Sequence, residues 1–191
     1  ILPPLLEEES HEITAIKSIL DGSVHEIISN RSFRRPHHSA TLTSLVGGGS
    51  NSVSAGEVTR AHKGVLFLDE LPEFKRTVLE VMRQPMEERR VTISRAKVAI
   101  DFPANFMLIA SMNPCPCGYY NHPEKECTCP PGTVQKYLNK ISGPLLDRID
   151  LHVEVTPVAF SELSNHNSKG ENSEQIRERV IAAREIQLER Y

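Results

Sequence analysis

The chain lacks any apolar run close to the roughly 20 residues that a membrane-spanning helix requires. Its first residues, ILPPLLEEES, also lack the basic flank and the small-residue cleavage site of a signal peptide. Basic residues are not in excess, since the formal net charge is −3, so any contact with nucleic acid must be local. The 39% hydrophobic and 25% charged residues are typical of a globular protein with a buried core. We therefore expect a cytoplasmic protein with no membrane partner.

The chain also lacks the GxxxxGK[ST] loop that holds the phosphates of a nucleotide in P-loop proteins. The glycine triplet at residues 47–49 is no substitute, because no Lys-Ser or Lys-Thr pair follows it. The segment that contains it, GGGSNSVS, has the composition of a flexible loop. No methionine opens the chain, and we expect its first residue to lie inside a longer protein.

The segment GVLFLDE, at residues 64–70, places four apolar residues directly before two acids, Asp69 and Glu70. A short continuous apolar run is typical of a strand that is buried on both faces of a parallel sheet. Acids that follow such a strand lie at the edge of the sheet where open α/β folds bind ligands. There, Asp69 could hold Mg²⁺ beside a nucleotide and Glu70 could activate a water molecule. The alternative is a strand that merely ends in solvated acids.

Two further polar residues are candidates for the same chemistry. Asn113 follows a second apolar segment, FMLIAS at residues 106–111, and its amide could orient a water molecule or sense a γ-phosphate. The alternative is a turn residue before a proline. Arg148, in SGPLLDRID, could neutralise charge on a transferred phosphoryl group, often from a neighbouring subunit. The alternative for Arg148 is a salt bridge with Asp147 or Asp150.

All four cysteines lie between residues 115 and 129, as two Cys-x-Cys pairs. Four thiolates can close a tetrahedral zinc site, although the usual spacing in zinc knuckles is Cys-x-x-Cys. His122 could replace one ligand. The alternatives are free thiols or a redox pair. The pairs consist of Cys115, Cys117, Cys127 and Cys129.

Two basic segments could contact nucleic acid. Arg34 and Arg35 lie in RSFRRPHH, which could bind phosphate or DNA, or could be plain surface. Arg95 and Lys97 lie at the tip of a predicted hairpin, where they could touch a phosphate backbone or form a solvated turn.

Hydrophobic periodicity predicts the remaining elements. Helices are expected at residues 8–20, 57–61, 75–83, 134–139 and 174–191. Strands are expected at residues 25–29, 64–69, 91–93, 98–100, 106–111 and 151–155.

Five segments together carry a family resemblance: RSFRRPHHSATLTSLVGGGS, AGEVTRAHKGVLFLDELPEF, RQPMEERRVTISRA, SMNPCPCG and SGPLLDRIDLHVEV. In this order they resemble the magnesium-chelatase-like AAA+ ATPases of the ComM/YifB type. The resemblance implies an α/β fold, namely a three-layer α/β/α core with a mostly parallel sheet. It implies a partial core at residues 1–160, a flexible linker at 161–173 and the start of a helical lid at 174–191. The cysteine quartet resembles the ComM branch rather than the porphyrin-metallating subunit.

The resemblance also implies a role for each candidate residue. Asp69 would coordinate Mg²⁺ through water and Glu70, in this Walker B pair, would polarise the hydrolytic water. Asn113 would be sensor 1, and Arg148 would be an arginine finger that acts on the ATP of its neighbour in a hexameric ring. The implied activity is ATP-driven branch migration or unwinding of DNA in natural transformation.

Two insertions would face the pore of that ring. They are the pre-sensor-1 hairpin at residues 91–100 and the helix-2 insertion near 31–55, so Arg95 and Lys97 become expected DNA contacts. The family usually has sheet order 5-1-4-3-2, so the absent first strand would be central. We expect this chain alone not to hydrolyse ATP, and a sensor 2 residue is not assigned.

Two other functions fit parts of the sequence. One is the ATPase subunit of a magnesium chelatase, which acts in porphyrin metallation. The other is a non-enzymatic interaction module that zinc stabilises, since the phosphate loop is absent from the chain.

Overall fold

The computed structural model describes residues 1–22, 26–49, 53–95, 98–155, 158 and 170–190. Helices in these ranges are α1 (Glu7–Asp21), α2 (Leu42–Val46), α3 (Glu57–Arg60), α4 (Arg76–Val81), α5 (Arg83–Glu88), α6 (Thr133–Leu138), α7 (Gly143–Leu146) and α8 (Ser173–Arg190). Strands are β1 (Phe33–Arg34), β2 (Gly47–Gly48), β3 (Ser54–Ala55), β4 (Val65–Leu68), β5 (Arg90–Arg95), β6 (Val98–Pro103) and β7 (Met107–Ala110). A 3₁₀ turn spans Leu71–Glu73. None of the helices in the described ranges combines the length and the apolar character needed to cross a membrane.

A parallel three-stranded sheet in the order β1-β4-β7 forms the centre of the fold. Leu66 of the central strand pairs with Arg34 on one side and Leu108 on the other. Val65 and Leu66, which point to opposite faces of the sheet, are both buried, as expected for a strand covered on both faces. The α/β class and the strands predicted at residues 64–69 and 106–111 are therefore confirmed.

The first strand lies at Phe33–Arg34 rather than at the predicted residues 25–29, so that prediction is wrong. Residues 26–29 contain no strand, and residue 25 lies outside the described ranges. The N–H of Val65 donates to the carbonyl of Ser32 at 2.8 Å, which aligns the chain after Ser32 with β4. A Cβ on Gly64 would lie 2.1 Å from that carbonyl oxygen, so glycine is required for this close approach.

The glycine triplet does not form the predicted flexible loop throughout. Gly47 and Gly48 are buried and pair with β3, which contains Ser54, in a small antiparallel sheet, so the prediction is wrong for these three residues. Gly47 has a φ of 111°, and a Cβ there would lie 2.6 Å from the carbonyl oxygen of Ser54. Composition predicted flexibility, whereas the glycines here permit close backbone packing. Residues 50–52 lie outside the described ranges.

The predicted hairpin is confirmed and is longer than expected. Strands β5 and β6 pair from Arg90 and Pro103 to Arg95 and Val98. Its tip, residues 96–97, lies outside the described ranges.

The segment LHVEV, predicted as a strand over residues 151–155, is not a strand. Leu151, Val153 and Val155 are 81%, 80% and 86% exposed. No strand in the described ranges pairs with the segment. Because an unpaired strand can neither satisfy its backbone groups nor bury its side chains, this prediction is wrong for the folded chain.

One apolar core joins the sheet to the helices and the hairpin. It contains residues from α2, α3, β4, α4, β5 and α7, and its members with the lowest exposure include Leu45, Val58, Leu66, Leu68, Leu79, Met82 and Val91. Helix α8, by contrast, has no buried residue, although it forms where the sequence predicts it. Residues 159–169, which contain most of the predicted linker, lie outside the described ranges.

Arg31 connects the N-terminal segment to this core by hydrogen bonds and an ion pair. Its guanidinium donates to the carbonyl oxygens of Pro3, Pro4 and Lys63 at 2.7–2.9 Å. It also forms an ion pair with Glu9 of α1 at 2.8 Å, and both side chains are largely buried. A single side chain therefore connects α1 to the loop before β4.

The replacement Arg31→Ala is expected to lower the free energy of unfolding by about 2–4 kcal/mol, because it leaves several partly buried acceptors without a donor. Chemical denaturation of the chain would measure the change. The control Arg60→Ala removes a more exposed ion pair with Asp21, and its effect should stay below about 1 kcal/mol. Equal effects of the two replacements would contradict the role given to Arg31.

Candidate functional site

Two carboxylates emerge at the carboxyl end of the central strand. Asp69 and Glu70 follow Leu68, whose partner in β7 is Ala110. This register brings the next residue, Ser111, beside Asp69, and its hydroxyl donates to Asp69 Oδ1 at 2.5 Å. The predicted acids therefore meet a polar group from the neighbouring strand at one edge of the sheet.

The backbone directs Glu70 away from the strand. Glu70 has a φ of 54°, in the left-handed region, and it begins the 3₁₀ turn at Leu71–Glu73. Such a conformation costs a non-glycine residue about 1 kcal/mol or more and is frequent at functional sites. The Glu70 side chain is 56% exposed, so its carboxylate can reach a water molecule or a ligand.

Two basic side chains from the segment after β1 cover these acids. Arg35 forms an ion pair with Asp69 and also lies over the ring of Phe67, 5.5 Å from its centroid. His38 Nδ1 lies 3.2 Å from Glu70 Oε2. The hydroxyl of Ser111 and then the guanidinium of Arg35 hold the pKa of Asp69 below its usual value. Asp69 is therefore ionised at neutral pH, which is the form that binds Mg²⁺.

Asn113 lies on the same edge of the sheet. It follows the end of β7 by three residues, and its side chain is exposed. Tyr137, from α6, is buried, and the backbone of Asn113 lies close to its hydroxyl group. Burial raises the pKa of Tyr137, and the charge of Glu73 adds to this effect.

Arg148 lies beyond α7, and its Nε donates to Glu87 Oε1 of α5 at 2.5 Å. The salt bridge that sequence offered as an alternative therefore exists, with Glu87 rather than with Asp147 or Asp150. None of the described contacts joins Arg148 to Asp69, Glu70 or Asn113. A role on a neighbouring subunit's nucleotide stays a prediction.

The basic residues predicted to bind nucleic acid have different surroundings. Arg34 donates to both carboxylate oxygens of Glu57 at 2.6 and 2.8 Å, and this bond raises the pKa of Arg34. Arg35 is paired with Asp69, as described above. The backbone of Arg95 pairs with Val98 in the hairpin, whereas Lys97 lies outside the described residues. Their contacts with DNA stay predictions.

Sequence reasoning missed two partners of the acids, Ser111 and His38. Ser111 could have been found, because it ends the segment FMLIAS and parallel register places it beside Asp69. His38 carried only a weaker signal, since its approach to Glu70 depends on the loop that follows Pro36.

The four cysteines form a compact group with the chemistry of a metal centre. Their sulfur atoms all lie within 4.8 Å of one another. Sγ of Cys115 lies 3.3 Å from that of Cys117 and 3.7 Å from that of Cys127, and no disulfide links them. In a tetrahedral zinc site with Zn–S bonds of about 2.3 Å, the sulfur atoms are about 3.8 Å apart. The group therefore has nearly the size that zinc requires, and His122 does not join it.

Backbone hydrogen bonds to sulfur support the same fit. The N–H groups of Tyr119 and Thr128 point to Cys117, and that of Tyr120 points to Cys115. These bonds, the one from Tyr119 first, lower the pKa of Cys117 to about 5, whereas burial and the neighbouring sulfur atoms raise the pKa of Cys127 and Cys129. Donors of this kind stabilise thiolates, which are the form that binds zinc.

The sequence of residues 1–163 matches the family described as magnesium chelatase, subunit ChlI. The whole chain is 48% identical to the uncharacterized protein YifB of Salmonella typhimurium and 44% identical to the competence protein ComM of Haemophilus influenzae. It is 41% identical, over an alignment of 194 positions, to an uncharacterized protein of Mycobacterium bovis. The chain spans 37%, 37% and 38% of the length of these three relatives.

Proposed function

Because the chain belongs to the magnesium chelatase subunit ChlI family, we propose that it supplies the hydrolytic residues of an AAA+ ATPase. The observation that carries this proposal is the edge of the sheet where Asp69, Glu70, Ser111 and Asn113 follow two adjacent parallel strands. Ligands of open α/β sheets bind at such an edge. The rest of the longer protein would supply the phosphate loop that the chain lacks.

Each residue at this edge has a role that its surroundings allow. Asp69 presents an ionised carboxylate that suits Mg²⁺, and Ser111 orients it. The ion, when bound with ATP, would neutralise charge on the phosphates. Glu70 accepts a proton from the attacking water, and its exposed carboxylate is free to do so once His38 moves. Asn113 orients that water without adding charge, and Arg148 acts as a finger from the neighbouring subunit.

We place this ATPase in a cytoplasmic hexameric ring that moves on DNA. One relative is named a competence protein, which fits a role in natural transformation. The long hairpin β5–β6 gives the ring an element that could reach into its pore. This part of the proposal depends on the longer protein and on its assembly.

The DNA function predicts a result for the hairpin variant Arg95→Ala/Lys97→Ala in the full-length protein. ATP turnover should rise with single-stranded or branched DNA in the wild type but not in the variant. In a plot of the logarithm of DNA affinity against the logarithm of salt concentration, the slope of the variant should be smaller in magnitude by about 1–2. The reason is that the variant neutralises fewer phosphates.

The control for the hairpin is Arg179→Ala, on the exposed helix α8, which should leave the salt dependence unchanged. An unaltered slope in the hairpin variant would remove the hairpin from the DNA interface. Stimulation by porphyrin, with no response to DNA, would instead favour the chelatase function that the family description suggests.

The cysteine group is proposed to hold a structural zinc ion. Its support is the spacing of the four sulfur atoms and the N–H groups directed at them. If zinc were present in a full-length protein that neither binds nor hydrolyses ATP, the interaction-module function would replace the ATPase.

A further inference from the structure

Two links connect the cysteine group to Asn113. The first is the chain itself, because only Pro114 separates Asn113 from Cys115, whose side chain is fully buried. The second is Tyr137, which is buried close to the backbone of Asn113. Tyr137 belongs to α6, which begins four residues after Cys129. Each end of the cysteine loop is therefore close to Asn113, through Pro114 at one end and through α6 at the other.

The loop has few other means of keeping this shape. Its described backbone hydrogen bonds are local, as from Gly118 to Cys115 and from His122 to Tyr119. The described contacts that cross from the first pair of cysteines to the second involve sulfur, such as the 3.5 Å separation of Cys117 and Cys127. Thiols are weak hydrogen-bonding groups, and neighbouring thiolates repel one another. A cation bound by the four sulfur atoms would link the two pairs of cysteines and so close the loop.

We propose that a zinc ion held by the four cysteines fixes the backbone at Asn113, so that the cysteine loop is a positioning element for ATP hydrolysis. This inference rests on the proposed function, since the position of Asn113 matters to turnover only if ATP binds beside it. Misplacement of a reacting or orienting group by 1 Å can reduce a rate by about 10²-fold. The metal centre would thus influence turnover without touching the nucleotide.

The link can be tested without any catalytic readout. Hydrogen exchange would be measured on the full-length protein with zinc and after removal of zinc by a chelator. The peptide covering residues 107–117 should exchange at least about tenfold faster without zinc, because its last residues lose their anchor. A peptide from the hairpin β5–β6 serves as the control and should not change. Unchanged exchange over 107–117 despite zinc loss would overturn the inference, as would zinc below about a tenth of an equivalent in the untreated protein.

A double-mutant cycle tests the consequence for turnover. The replacement Cys129→Ser removes the ligand that is furthest from Asn113 along the chain. It should lose zinc, reduce kcat by about 10–100-fold and leave ATP affinity within about threefold. Adding Asn113→Ala should reduce kcat no further than Asn113→Ala does alone, because both changes disable the same group. If the double variant lost kcat by the product of the two single reductions, zinc would act on turnover by a route other than Asn113, and the inference would be contradicted.

The matched control is His122→Ala, in the same loop but outside the sulfur group, which should keep both zinc and turnover. The two hypotheses also fail separately. A full-length wild type that cannot hydrolyse ATP would remove the proposed function, whereas exchange at residues 107–117 decides the zinc link by itself.

Discussion

The replacement Glu70→Gln in the full-length protein is expected to reduce ATP turnover by about 10²- to 10⁴-fold while ATP still binds. Glutamine keeps the size of the side chain but cannot accept the proton of the attacking water. Asp69, which is the proposed partner of Mg²⁺, keeps its hydrogen bond to Ser111 in this variant. Steady-state turnover and titration with a fluorescent ATP analogue would separate the two effects. The 191-residue chain alone should show no turnover in the same assay.

The control for this experiment is Glu73→Gln. Glu73 follows Glu70 by three residues, is exposed and forms an ion pair with Lys140 at 3.3 Å. Its replacement should therefore change turnover by less than about threefold. If Glu70→Gln kept wild-type turnover, Glu70 would not be the base. If it abolished ATP binding, its role would be structural.

Both acids of the site are paired with basic side chains. In this structure Arg35 forms an ion pair with Asp69, and His38 pairs with Glu70. If Mg²⁺ and ATP bind at these acids as proposed, both basic side chains would have to be released or redirected. Since all four side chains are at least one-third exposed, the pairs add little to stability and can exchange readily.

The sequence was sufficient to predict the elements whose signal is local. The apolar run before Asp69 predicts β4 because continuous burial on both faces requires continuous apolar residues. The same reasoning locates β7, and the valine and isoleucine pattern locates the hairpin. In these elements, neighbouring residues along the chain decide the structure.

Elements that depend on distant partners could not be predicted in this way. Strand β1 has only two residues, and its position follows from the approach of Ser32 to Gly64 rather than from its own composition. The segment at residues 151–155 alternates like a strand but stays exposed, because no strand in the described ranges pairs with it. Among the strands of the described ranges, β7 pairs with β4 alone, and its Met107 and Ile109 are 51% and 42% exposed. The sheet order that the family resemblance implies would put the expected central strand at this side of β7.

The sequence predicted the acids of the candidate site but not the basic side chains that pair with them. Asp69 and Glu70 follow from the strand pattern, and Asn113 follows from the rule that parallel strands deliver polar ends to one edge. Arg35 was assigned to nucleic acid, since a basic segment gives no sign of an acid that lies 34 residues away. Pairing of charges across a fold is a property of tertiary structure.

The replacement Arg148→Ala is expected to reduce ATP turnover by about 10³-fold or more, with little change in ATP affinity. The guanidinium would stabilise charge that develops on the phosphoryl group only in the transition state, so ground-state binding should not need it. In the described structure its partner is Glu87 on an exposed surface, where the two side chains are 39% and 41% exposed. That position leaves Arg148 able to turn toward a neighbouring subunit. The conservative change Arg148→Lys should recover only part of the rate, because lysine lacks the planar fork of arginine.

Mixing two inactive variants would show whether Arg148 acts across a subunit interface. In rings of Glu70→Gln and Arg148→Ala subunits, about a quarter of the interfaces would combine an intact Glu70 with an intact Arg148 from the neighbour. Turnover should therefore reappear on mixing, up to about a quarter of the wild-type rate if the sites act independently. Rings of either variant alone contain no such interface and serve as the controls. If mixed rings stayed inactive while size-exclusion chromatography showed that subunits exchange, Arg148 would have to act within its own subunit, and the salt bridge with Glu87 would be its structural role.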